Sequence, residues 1–160
     1  MMINEPLAEP ILLTVADEPT VVIRHHGVTV ADLPNLFDAG FTALAASGAA
    51  LSGPPFAIYR GDPAAVFDME IGFPVSAPLP APVEGSVTVE PDTLPSGPAL
   101  ALSHIGSYDT LGESWGRLAA EAAARGFTPT LFFEVYVSDP TPETDPATLR
   151  TDLFLVGTPA

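Results

Sequence analysis

The chain has 160 residues, enough for one domain with a sizeable hydrophobic core. Its 20 acidic residues face only 5 basic ones, all arginine, and the formal charge of -15 argues against a nucleic-acid-binding surface and against docking on anionic membrane. With 16% charged and 47% apolar residues it is too hydrophobic for an acidic disordered tail, and the absence of cysteine excludes disulfides, thiolate zinc sites and cysteine nucleophiles.

The first 19 residues, from Met1 to Pro19, have neither a basic start nor a continuous apolar segment before their acids, so they read as neither a signal nor a transit peptide. No stretch approaches the ~18 apolar residues of a membrane-spanning helix. A cytoplasmic protein is the expectation. Val21 to Gly27 reads as a strand ending at a glycine. Leu33, Leu36, Phe37, Gly40, Phe41 and Leu44 follow at three- and four-residue spacing, the mark of a helix with one buried face. Asp32 suits its N-cap, Pro34 its first turn and Gly48 its end. Phe56 to Tyr59 reads as a strand with Phe56 and Ile58 inward, and Ala57 and Tyr59 outward. Ser76 to Ser86, rich in proline, reads as a connecting loop.

The second half repeats the pattern. Ala99 to Gly106 is a strand ending at a glycine, and Leu111, Trp115, Leu118 and Ala122 line one face of a helix that Gly126 stops. Thr110 with Glu113 three residues later fits a capping box. In Leu131 to Ser138, alternation puts Leu131, Phe133, Val135 and Val137 on one face and Phe132, Glu134 and Tyr136 on the other. The apolar face is expected to pack under the helices, leaving a carboxylate between two aromatics on the opposite surface. Pro140 to Pro146 is expected to form an ordinary hairpin connection.

Aligning Gly27 with Gly106 brings Gly48 near Gly126, Tyr59 near Tyr136 and Glu70 near Asp152, a pseudo-repeat of strand, helix, strand, strand. The expectation is therefore an α+β fold in a single domain over residues 1–160, with repeat halves at about 11–75 and 87–156. If the halves meet around a pseudo-two-fold, Tyr59, Glu134 and Tyr136 converge on one cleft.

Other patterns carry less chemistry. Gly112 to Gly116 matches the G-x-S-x-G elbow of serine hydrolases, but Ser114 lies inside an amphipathic helix and no histidine follows it, so the match is accidental. His25 and His26 are adjacent in a strand and point to opposite faces, and His104 is the only other histidine, so no metal is expected. No other cofactor is expected either. Asp68 and Glu70 share a strand face read as solvated, and Arg150 and Asp152 share another where each could pair across strands.

Phe67 to Val75, Leu94 to Gly97, Ser103 to Leu111 with Trp115, Glu134 to Pro140 and Leu149 to Val156 occur in the order found in one known family. Across about residues 11 to 156 the chain resembles the GyrI-like small-molecule-binding domains, which also serve as effector-binding domains of AraC-type and multidrug-responsive transcription regulators. The resemblance implies two strand-helix-strand-strand modules forming a concave antiparallel sheet, two helices on one side and a hydrophobic cleft between the modules. It implies hydrophobic ligands, cationic or polyaromatic, in that cleft, with Glu134 as polar anchor. Tyr136, Tyr59, Tyr108, Trp115 and Phe132 are the expected ligand-binding wall. Some stand-alone members resemble hydrolases of cyclopropane-bearing natural products, in which Glu134 would be catalytic. Such a carboxylate, its pKa raised by desolvation, could activate water. A third possibility is an acidic regulator that binds a basic protein, as a gyrase-inhibiting member would. The binding protein is the preferred reading, because no second catalytic group is identifiable beside Glu134.

Overall fold

The computed structural model describes residues 5–61, 65–85, 87–138 and 143–160. Among them the chain runs through β1 (Ile11–Val15), β2 (Pro19–Val28), α1 (Leu33–Ala46), β3 (Phe56–Arg60), β4 (Phe67–Pro74), β5 (Glu90–Thr93), β6 (Gly97–Ile105), α2 (Leu111–Arg125), β7 (Thr128–Tyr136) and β8 (Arg150–Thr158). They divide into two compact units, one of residues 17–95 and one of residues 1–16 with 96–160.

In the unit of residues 17–95 the strands lie in the order β3-β4-β2-β5, all antiparallel. In the other the order is β1-β6-β8-β7, again antiparallel. Each unit is thus a strand-helix-strand-strand module with one extra edge strand, and the class is α+β, as expected. The two edge strands exchange owners: β1 precedes the first module yet pairs β6, and β5 precedes the second yet pairs β2.

Local sequence explains most boundaries. Gly27, Gly48, Gly106 and Gly126 all have positive φ, where side-chained residues are strained, so the aligned glycines mark equivalent turns in the two modules. A short 3-10 turn precedes each helix, Val30–Asp32 and Tyr108–Thr110. This turn displaces the expected caps. The Asp32 carboxylate accepts from the Thr29 backbone N–H (2.9 Å) rather than capping α1. Thr110 donates to the Ser107 carbonyl (3.1 Å) and forms no capping box with Glu113. Between β7 and β8, residues 139–142 lie outside the described residues; beyond them Asp145 caps a 3-10 turn, Pro146–Thr148, by accepting from Ala147 N–H (3.0 Å).

Each helix covers one face of its own sheet. Leu118 and Ala122 of α2 join Leu100, Leu102, Leu153 and Leu155 in one buried cluster, with Leu111, Trp115 and Phe132 packed against it. Gly40 brings α1 so close to Ile23 and Ile71 that a Cβ there would stand 3.3 Å from the Ile71 side chain. The registers then fix the faces. Phe132, Glu134 and Tyr136 oppose Leu155, Leu153 and Thr151, so they lie on the α2 side. Ala57 and Tyr59 oppose Ile71 and Met69, on the α1 side. Alternation groups these residues correctly, but the expected orientation is reversed: Phe133, Val135, Phe56 and Ile58 face away from the helices. Those residues are buried all the same, and Phe133 stacks on Phe154 with ring centroids 4.6 Å apart.

Candidate functional site: a carboxylate beneath helix α2

Glu134 sits in the middle of β7 and is 7% exposed. A buried carboxylate must recover in hydrogen bonds what it loses in hydration. Trp115 Nε1–H donates to its Oε1 at 2.9 Å, and Tyr136 O–H donates to its Oε2 at 2.7 Å. Both donors are neutral, so neither cancels the carboxylate's charge. Their rings build the surroundings. Trp115 meets Phe132 edge to face at 4.9 Å, and Tyr136 meets Tyr108 edge to face at 6.3 Å.

Secondary structure makes this convergence unavoidable. Phe132, Glu134 and Tyr136 are alternate residues of one strand and share a face. Trp115 is one turn into α2, four residues from Leu111 and three from Leu118, on the stripe that packs against that face. Tyr108 stands in the 3-10 turn before α2 and is 41% exposed, the most solvent-accessible aromatic of the group. Five of the six sequence-derived residues, Glu134, Tyr136, Tyr108, Trp115 and Phe132, therefore come together in one unit. Tyr59 belongs to the other unit, buried on β3 with its ring edge-on to Phe67 at 5.7 Å.

A row of polar residues beside the carboxylate is absent from the sequence reading. His104 on β6, Thr151 on β8 and Tyr136 on β7 lie side by side in register. His104 Nε2–H donates to the Ser107 carbonyl (2.9 Å), because a carbonyl can only accept, and Nδ1 is therefore left to accept from Ser114 O–H at 2.7 Å. The serine of the accidental elbow thus pins α2 to the sheet. Thr151 is wholly buried, and its hydroxyl meets no hydrogen-bond partner among the described residues. Only the strand register reveals this row; nothing in local spacing marks it.

Several other charged groups have structural partners. Arg150 grips Asp152 through Nε (2.9 Å) and Nη2 (3.0 Å), and Ser103 donates to the same carboxylate (2.7 Å) on the face away from α2. Arg150 and Asp152 thus pair with each other along one strand, and Asp152 also pairs across strands with Ser103. Glu70 meets Arg60 at 3.3 Å and lies 3.9 Å from Arg24, which also binds Glu90 and Asp92 of β5. Burial disfavours the charged Arg24 guanidinium, but Asp92, Glu70 and Glu90 outweigh this and raise its pKa. His26 lies 3.5 Å from Asp68 at the surface, whereas burial and the neighbouring His26 lower the pKa of His25. Among the described residues no cluster of three or more His, Asp or Glu side chains could hold a metal, and no helix is long and apolar enough to cross a membrane.

Two antiparallel α+β modules, one enclosing a carboxylate among aromatic rings, form the scaffold of a small-molecule-binding domain. The chain belongs to the GyrI-like small molecule binding domain family, which it matches over residues 8–156. No curated protein matches it in sequence. Among solved structures it is similar to the EcmrR C-terminal domain, with TM-score 0.80, 17% identity, and 96% of this chain and 99% of that one covered. It is also similar to a hydrolase from Listeria innocua, at TM-score 0.68 and 15% identity, with 97% of this chain and 94% of that one covered. A third similar structure is SAV2435 bound to tetraphenylphosphonium, at TM-score 0.63 and 11% identity, with 94% of each chain covered. At these identities the likeness is one of fold.

Proposed function

We propose that this domain binds hydrophobic cations or polyaromatic molecules, with Glu134 as the polar anchor. The observation that carries the reading is a buried carboxylate held by two neutral aromatic donors, Trp115 and Tyr136. Such a group offers charge to a cation, and the surrounding rings add cation–π attraction of about 0.5–2 kcal/mol and broad apolar contact. Few directional contacts imply tolerance of varied ligand shapes. Tyr108, Trp115, Phe132 and Tyr136 are assigned to the wall on the same grounds. Tyr59 is the register counterpart of Tyr136 in the other unit and is not part of this wall. Residues 1–160 act as one ligand-binding domain in this reading, and the binding of tetraphenylphosphonium by SAV2435, a protein of the same fold, is consistent with it.

The test is charge selectivity at constant shape. Calorimetric titration with tetraphenylphosphonium is expected to show binding, while tetraphenylborate, of nearly the same shape and opposite charge, is expected to bind at least about tenfold more weakly. Equal affinity for the two would remove Glu134 as anchor.

The hydrolytic alternative draws on one observation, the 2.7 Å hydrogen bond that orients the Glu134 carboxylate toward Tyr136 as a positioned base. Incubation with a cyclopropane-bearing alkylator and mass spectrometry of the product discriminates the readings. Ring-opened product formed by wild type and not by Glu134→Gln would establish the enzyme.

A further inference from the structure

We infer that the Thr151 hydroxyl is a second hydrogen-bonding position of the Glu134 site, and that the domain therefore prefers cations carrying a hydroxyl group over purely apolar ones. This inference rests on the ligand-binding reading above.

Thr151 is 0% exposed, and its Oγ1 has no hydrogen-bond partner among the described residues. A buried hydroxyl left unpaired costs stability, so either the fold requires a threonine there or the hydroxyl serves something else. The internal repeat decides between these. In the module of β6, β7 and β8 the row across the sheet is His104–Thr151–Tyr136. In the module of β2, β3 and β4 the same registers give His25–Met69–Tyr59. The flanking histidine and tyrosine recur, yet an apolar Met69 fills the central position and is itself buried. The architecture does not need a polar group at that position.

What distinguishes the second module is the anchor. One pair further along the ladder Glu134 opposes Leu153, whereas the first module has Ala57 opposite Ile71. At these two positions the hydroxyl and the carboxylate occur together, and the counterpart module has apolar Met69 and Ala57 there. Thr20 Oγ1 and His25 Nε2 of that module are also buried without a partner among the described residues. Glu134 and Thr151 are diagonal neighbours on one sheet face, a separation of about 7 Å. A cationic centre at the carboxylate would place a substituent on an adjacent ring within reach of the hydroxyl. Both ring nitrogens of His104 are engaged, with Ser114 and Ser107, and Tyr136 O–H donates to Glu134. A ligand hydroxyl, which can donate or accept, is the complement that fits whichever way Oγ1–H turns. Trp115 and Tyr136 are both half-buried, and one of them must turn aside for a ligand to reach the row.

The test compares two cations that differ by one group, tetraphenylphosphonium and (3-hydroxyphenyl)triphenylphosphonium, on wild type, Thr151→Val and Thr151→Ser. One hydrogen bond gained corresponds to roughly three- to tenfold in affinity. Wild type and Thr151→Ser are expected to prefer the hydroxylated cation by about that factor, and Thr151→Val to bind both alike. An equal preference in wild type and Thr151→Val, or no preference in wild type, would overturn the inference. Failure of both cations to bind wild type would instead overturn the ligand-binding reading and this inference with it. A ligand-free measurement stands apart from both: Thr151→Val is expected to raise the melting temperature, since it removes an unpaired buried hydroxyl. A lowered melting temperature would show that the hydroxyl is already bonded in the folded chain, and would also overturn the inference.

Discussion

Trp115 Nε1 donates to Glu134 Oε1 at 2.9 Å, so a single hydrogen bond ties the second turn of α2 to the middle of β7. Tyr136 holds the other oxygen at 2.7 Å. Tyr136→Phe keeps its ring and Trp115→Phe keeps a smaller aromatic ring, and each deletes one donor to a buried carboxylate. Each is expected to cost about 1–3 kcal/mol in urea denaturation. Because both act on one group, the double variant should deviate from additivity by at least about 0.5 kcal/mol. Strict additivity would show that the two donors do not act on the carboxylate as a unit.

Asp152 is 2% exposed, gripped by Arg150 and bonded by Ser103. Asp152→Ala leaves the guanidinium without its carboxylate in a largely buried position, at a cost of about 3 kcal/mol or more. Glu121→Ala breaks the exposed i,i+4 pair with Arg125 and is expected to cost at most about 0.5 kcal/mol. Chemical denaturation of both variants measures the contrast directly.

His25 titrates below its ordinary value of 6.5 in the folded chain, because burial and then His26 disfavour its charged form. Above that pH both folded and unfolded chains carry it neutral, and it contributes no slope. As pH falls through 6.5 the unfolded chain takes up a proton that the folded chain resists, so stability declines toward the lower folded-state value. His25→Phe is expected to flatten that decline between pH 7 and pH 5, with little change above pH 7.

Gly157 faces β7 so closely that a Cβ would stand 2.1 Å from the Thr128 carbonyl oxygen and 2.8 Å from the Phe127 ring. Gly157→Ala is therefore expected to destabilise by about 2–3 kcal/mol, because the obstacle is backbone that cannot turn aside. Gly112→Ala on α2 meets nothing within 4 Å and is expected to stabilise by about 0.5–1 kcal/mol through helix propensity alone. Thermal melts of the two variants should move in opposite directions.

Much of this architecture was legible in the sequence. Leu111, Trp115, Leu118 and Ala122 gave the buried stripe of α2, and the glycine alignment found turns that all adopt positive φ. Period-two alternation grouped Phe132, Glu134 and Tyr136 correctly but assigned them to the wrong side. That inference assumes one wet and one dry sheet face. Here Phe133, Val135, Phe154 and Val156 on one face are buried like Leu100, Leu102 and Leu153 on the other, so polarity does not tell them apart. Strands β1 and β5 escape a local reading for other reasons. Glu90-Pro-Asp-Thr93 has no strand-like composition, and β1 is defined by pairing with β6, about ninety residues away in sequence. The polar row of His104, Thr151 and Tyr136 depends on two strand registers at once, which no local pattern encodes.

The anchoring role of Glu134 is tested most directly by titrating tetraphenylphosphonium into wild type and Glu134→Gln, both checked for native melting behaviour. Glutamine keeps the side-chain volume and can still accept from Trp115 or Tyr136, so the change isolates the charge. A weakening of at least about thirtyfold, equivalent to about 2 kcal/mol, is the expected result. Unchanged affinity in a folded Glu134→Gln variant would contradict the account.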